Sequence, residues 1–172
     1  MKTLPITADK SEIKNLVVEW LELLAKEKYS EALNLILYDN TQEVDGVLWI
    51  WTPQKLEAAV FTYGMPWFTK DDIKRLYGVD SKVDYKVTSI LTNPNKNQLL
   101  ERINIEIYDY DVSSEMAKTW AITKLDYKNI IGSVMCDCVF LDGELSDLTA
   151  LFWIVKVSEN NITLIFRDLH MM

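Results

Sequence analysis

The stretch Leu148-Thr149-Ala150-Leu151-Phe152-Trp153-Ile154-Val155-Lys156-Val157 decides the fold class of this chain. Only Thr149 and Lys156 interrupt its apolar character, so both faces of an extended segment here are apolar. That is the pattern of a central strand covered on each side. The run is too short to span a bilayer as a helix. After it, Ser158-Glu159-Asn160-Asn161 reads as a hairpin turn, and Ile162, Leu164 and Phe166 alternate along a last strand. Before it, Asp142-Gly143 ends a strand on which Val134, Cys136, Cys138 and Phe140 share one face.

Further out, the period of 2 persists back to residue 82. Ile103, Ile105 and Ile107 alternate with Asn104, Glu106 and Tyr108. Val83, Tyr85 and Val87 alternate with Lys82, Asp84 and Lys86, which predicts another half-buried strand. Asn93-Pro94-Asn95-Lys96-Asn97 is a turn. From Ser113 to Lys128 the pattern divides: Met116, Trp120 and Ala121 fit a helix, Trp120 to Leu125 a strand, and the strand is the expectation.

The first half has the period of a helix. Asp9 and Glu12 form a capping pair ahead of Ile13, Leu16, Val17, Trp20, Leu21 and Leu24, one broad apolar stripe. A short helix from Ser30 turns Leu33, Ile36 and Leu37 inward. Asp39 to Asp45 is a polar break, and Val47 to Trp51 is a strand or a buried loop. Thr52-Pro53 caps a helix carrying Leu56, Ala59, Val60 and Tyr63, stopped by Gly64 and Pro66. Thr69, with Asp71 and Asp72 in the first turn, opens a helix bearing Ile73, Leu76 and Tyr77 up to Gly78.

The expected architecture is one α+β domain over residues 1–172, with a helical half over about 9–78 and a sheet half over about 81–170. Helices pack on a twisted, mainly antiparallel sheet. This element order resembles the cystatin-like cone fold shared by nuclear transport factor 2, ketosteroid isomerases and scytalone dehydratases. The resemblance implies a sheet wrapped around helices to enclose a conical cavity, and the helix at Thr69 to Tyr77 is extra to it. A second resemblance lies in Asp142-Gly143-Glu144-Leu145-Ser146-Asp147-Leu148-Thr149-Ala150, Phe152 and Arg167-Asp168-Leu169-His170-Met171. These segments look like those of an uncharacterised family of small bacterial proteins, which implies relatives but no activity.

The formal charge of −8, from 26 acidic and 18 basic residues, opposes binding to phosphate backbones or anionic lipid. Nucleic acid and membrane surfaces are therefore not expected partners, and a protein with a basic surface is. The same charge also serves solubility alone. Cys136 and Cys138 stand two apart, a poor geometry for a disulfide. Met1 to Lys10 holds no apolar run fit for a secretory signal, and the cytoplasm is the expected compartment.

Four groups of side chains are candidates for chemistry or binding. Asp168 and His170 share a strand face as half of a general-base pair, or form a surface ion pair at a strand end. Cys136 and Cys138 are soft-metal ligands or inert core thiols; a closed zinc site needs four donors, so no metal or cofactor is expected. Asp142, Glu144 and Asp147 form an acidic cluster that suits calcium, a basic partner or plain turn chemistry. Trp49, Trp51, Tyr63, Trp67 and Phe68 are dense enough to line a pocket or form an interface, or to build a core layer. In a cone fold, Asp84, Tyr85 and Tyr108 would join them near the cavity mouth.

The leading expectation is a non-enzymatic binding protein, one version of which neutralises a basic toxin or nuclease. A second reading is a small-molecule binder, or a lyase- or isomerase-type enzyme with an aromatic cavity. A third is a structural homodimer whose second copy covers the open face of the central strand.

Overall fold

The computed structural model describes residues 1–39, 43–44, 47–80, 82–119, 126–137 and 139–171. In chain order its elements begin β1 (Leu4–Pro5), α1 (Lys10–Ala25), α2 (Tyr29–Leu35), β2 (Leu37–Tyr38), β3 (Glu43–Val44) and β4 (Val47–Leu48). There follow α3 (Pro53–Phe61), α4 (Lys70–Tyr77), α5 (Lys96–Glu101), β5 (Ile103–Ile107) and α6 (Ser114–Thr119). The rest is a 3-10 turn (Tyr127–Asn129), β6 (Ile130–Asp137), β7 (Phe140–Leu141), β8 (Glu144–Leu145), β9 (Leu148–Lys156) and β10 (Asn161–Met171).

The main sheet runs β1-β10-β9-β6-β5, with β2 added parallel to β10. β9 pairs with β10 on one side and β6 on the other, as its two apolar faces require. The other pairings in this sheet are antiparallel, and the sheet curls. β10 slips register between Phe166 and Asp168. Because of that bulge, Leu164, Phe166 and Leu169 all reach the inner core, although a regular strand would turn Leu169 outward.

α1 fills the inner face. Both arms of its capping box form: the Glu12 amide donates to Asp9 and the Asp9 amide to Glu12, each at 2.9 Å. The whole predicted stripe, Ile13 to Leu24, is buried. Burying each such side chain stabilises by about 1.5–3 kcal/mol. Trp20 sits at the centre, edge-on to Phe152 at 5.2 Å and tilted over Phe166 at 4.8 Å. The space between α1 and the sheet, where the resemblance would place a cavity, is filled by Trp20, Leu16, Leu21, Phe152 and Phe166.

The outer face is covered in part by the same chain. Trp153, Val155 and Ile165 pack with Val112 and Ala117, which α6 and its approach bring over the sheet. A second subunit is not needed to cover this part of β9.

Three local expectations are corrected. Residues 83–87 keep their alternation of burial, yet form no strand; only Val87 bridges, to Leu141. The segment is tied down by polar contacts instead, with Lys82 to Asp142 at 2.6 Å and Lys86 to Glu27. Ser114–Thr119 is helical rather than extended, and residues 120–125 lie outside the described residues. In α4 only Ile73 is buried, while Leu76 and Tyr77 face solvent. The division into halves is also looser than expected, since α5 and α6 fall among the strands and β1 and β2 come from the first half.

Candidate functional site

Thr52 caps α3 by accepting from the Lys55 amide at 3.2 Å, with Pro53 at the first helical position. At the other end, Tyr63 and Gly64 both take positive φ, 60° and 90°, and reverse the chain. The Gly64 amide donates to Ala59 O at 2.6 Å. A Cβ on Gly64 would stand 2.9 Å from His170 Cα and Met171 N, so only glycine lets this turn sit on the end of β10. The turn then leads into Met65 to Phe68, where Pro66 is buried, Met65 and Phe68 are half-buried and Trp67 reaches the surface.

There the aromatic residues form a ladder from core to solvent. Phe166 meets Trp51 at 4.9 Å, Trp51 meets Trp49 at 5.7 Å, Trp49 meets Trp67 at 6.4 Å, and Trp67 meets Phe68 at 6.1 Å. Trp51 is buried and its indole N–H donates to Arg167 O at 2.9 Å. Trp49 is half-buried under Lys55, whose Nζ lies 3.7 Å from its ring centroid and donates to Ile50 O at 2.8 Å. Trp67 is 64% exposed and Ile50 is 43% exposed. Residues 67–79 add three more exposed apolar side chains, Leu76, Tyr77 and Val79.

The other predicted members are placed elsewhere. Tyr63 pairs with Tyr85 at 5.1 Å, and its hydroxyl donates to the Asp147 carboxylate while accepting from the Asp147 amide at 3.2 Å. Burial, followed by the bond to Asp147, pushes the Tyr63 hydroxyl above the usual tyrosine range. Asp84 and Tyr85 rim an open depression of about 140 Å³ with Tyr29, Glu57, Phe61 and Lys70. Tyr108 stands with the outer cluster of the sheet, stacked on Tyr110 at 5.1 Å, and does not join the ladder.

Asp168 and His170 do meet, with Oδ2 and Nδ1 at 3.0 Å. Asp168 also accepts from the Leu169 amide at 2.8 Å. The residue opposite His170 is Thr149, fully buried, with its hydroxyl 3.5 Å from Asp137. The pair is a positioned imidazole at a strand end. Cys136 is buried on the inner face, and Cys138 lies outside the described residues. Among the described residues no group of three His, Cys, Asp or Glu side chains is arranged around a common metal position.

The acidic cluster is dispersed by its own turn. Asp142 and Gly143, at φ 51° and 89°, form a two-residue hairpin loop between β7 and β8. Asp142 binds Lys82 and the Lys86 amide, Asp147 binds Tyr63, and Glu144 is exposed. The site residue that the sequence did not disclose is Arg167. Its guanidinium lies 4.2 Å over the Trp153 ring, and burial holds its pKa below the usual range against the pull of Asp39 and Asp168. Its only signal was a lone cation in an apolar strand, and the bulge that tucks it in is not legible from spacing.

Comparison with protein-family models, curated proteins and solved structures finds no match for this chain. No helix among the described residues is long and apolar enough to cross a membrane.

Proposed function

We propose that this protein acts by binding another protein through the face built on Trp49, Trp67, Phe68 and Ile50. The observation that carries the reading is Trp67: a tryptophan 64% exposed, held in place by a ladder of rings rooted in the core at Phe166. A large, preorganised, exposed aromatic has little conformational entropy left to lose, which is the property of a binding hot spot. The filled inner face supports this reading over an aromatic cavity, since Trp20 and Phe152 occupy the space a ligand would need. The charge of −8 favours a partner with a basic surface, a basic toxin or nuclease being one form of it. The curled sheet around α1 is consistent with a filled variant of the cystatin-like cone, and the segment from Asp142 to Met171 with the small bacterial family it resembles.

The test is affinity capture from the native host with the wild-type chain and with Trp67→Ala, followed by titration of the captured protein. The expected partner is cationic, binds more weakly as salt rises, and loses roughly 30-fold in affinity for the variant, the scale of a hot-spot tryptophan. Equal affinity for both chains would exclude this face.

A further inference from the structure

β5 ends the main sheet: β6 pairs with one of its edges, and no described strand pairs with the other. The direction of its backbone groups follows from the register. The Asp137 amide donates to Arg102 O at 3.1 Å, and the Tyr108 amide donates to Ile131 O at 2.9 Å. In an antiparallel ladder, residues that bond to a given neighbour alternate along the strand. Arg102 and Tyr108 bond to β6, so Asn104 and Glu106 do as well, and the N–H and C=O of Ile105 and Ile107 point away from the sheet. Ile103 and Ile105 are buried towards the inner face, Asn104 and Glu106 are exposed, and Ile107 is 49% exposed.

An open edge of this kind templates another strand, and chains that stay single blunt it with lysine, proline or a bulge. The sequence Ile-Asn-Ile-Glu-Ile contains no lysine or proline, and the β5–β6 register is unbroken. We propose that β5 pairs antiparallel with β5 of a second copy of this chain, about a two-fold axis at Ile105, so that one sheet runs through both molecules.

The strand is complementary to itself in that register. Ile105 falls opposite Ile105, Ile103 opposite Ile107, and Asn104 opposite Glu106 of the other copy. Residues directly opposite share a face, so isoleucine meets isoleucine inside and an amide meets a carboxylate outside. An axis at Glu106 would set two carboxylates against each other. An axis at Asn104 would leave the exposed Ile107 opposite the exposed Glu101. The edge's single carboxylate thus finds its complement in the second copy's own amide, which favours self-pairing over an unrelated strand. A pairing only 5 residues long buries little area, so the dimer is expected at about micromolar strength.

The experiment is sedimentation of the full chain from about 1 to 100 µM, with amide hydrogen exchange at both ends of that range. A dimer is expected, with the Ile105 and Ile107 amides more protected at high concentration. Ile107→Pro deletes an outward N–H and leaves the bonds to β6 intact, and Ile107→Lys puts a charge on the edge. Each is expected to weaken the dimer at least tenfold without changing the circular dichroism spectrum. If the proline variant does not fold, the lysine variant decides. A monomer throughout the range, a dimer indifferent to a folded variant, or protection of these amides only by a different protein would overturn the proposal.

Discussion

The indole N–H of Trp51 donates to the carbonyl of Arg167 at 2.9 Å, at the place where β10 slips register between Phe166 and Asp168. A bulged residue leaves its own backbone groups outside the ladder, and a buried carbonyl without a donor is costly. Trp51 supplies that donor from the other side of the chain. Its ring simultaneously leans on Phe166 and carries Trp49. The start of the surface ladder and the irregularity of the last strand are therefore one feature.

Trp51→Phe keeps a ring in the gap but removes the donor. Urea unfolding should show a loss of about 1–2 kcal/mol, the cost of leaving a buried carbonyl unpaired. Trp51→Ala should cost about 3–5 kcal/mol. Equal stability of Trp51→Phe and the wild type would mean that water takes over the carbonyl.

Gly64 and Gly78 separate two costs that are usually mixed. Both have positive φ, 90° and 105°, but a Cβ on Gly78 meets nothing within 4 Å, whereas on Gly64 it meets the backbone of His170 at 2.9 Å. Gly78→Ala should lose about 1 kcal/mol from the strained φ alone. Gly64→Ala should lose about 3 kcal/mol, because backbone cannot swing aside. Similar losses in thermal unfolding would show that the turn shifts freely over β10.

Alkaline stability should depend on tyrosines. Burial pushes Tyr29 up to about 12, helped by the charges of Glu57 and Glu27, and burial also raises Tyr63 and Tyr108. An unfolded tyrosine ionises near pH 10. Above that pH the unfolded chain releases protons that the folded chain keeps, so stability is fully present below about 10 and falls towards about 12. Tyr29→Phe should flatten this fall in denaturation midpoints measured between pH 9 and 11. An unchanged slope would assign the fall to other groups.

Two tryptophans should respond in opposite ways. Trp67→Ala removes an exposed ring and should change folding stability by less than about 0.5 kcal/mol, so a binding defect in this variant reports on the interface and not on unfolding. Trp20→Ala should cost about 3–5 kcal/mol, since the ring is fully buried between Phe152 and Phe166. Comparable losses from both would mean that Trp67 is part of the core.

Much of the architecture was legible because it is written in short-range spacing. Asp9, Glu12 and the stripe from Ile13 to Leu24 specify α1 through contacts within a few turns, and all of them form. Residues 83–87 show where spacing stops. Their alternation says which side chains turn inward, and they do, but it does not say whether a neighbouring strand is present to make the ladder. The aromatic cluster behaves likewise: Trp49, Trp51, Trp67 and Phe68 gather, Tyr63 of the same stretch turns to Tyr85 and Asp147, and Tyr108, which only the cone resemblance would have added, stands on the other face.

The sequence by itself determined the helix of the inner face, the central place of the strand read at Leu148 to Val157, which forms over Leu148–Lys156, and the hairpin that follows it, since periodicity and turn chemistry act locally. Only the tertiary structure decided what covers each face. Packing, not spacing, left Leu76 and Tyr77 in solvent, filled the inner face of the sheet with Trp20, and brought α6 over Trp153. Packing also placed the bulge at which Arg167 lies half-buried over Trp153 and left one edge of β5 without a described partner strand. Within a regular element a residue's neighbours along the chain set which way it points; its neighbours in space set whether anything meets it there and, at the bulge before Leu169, the direction as well.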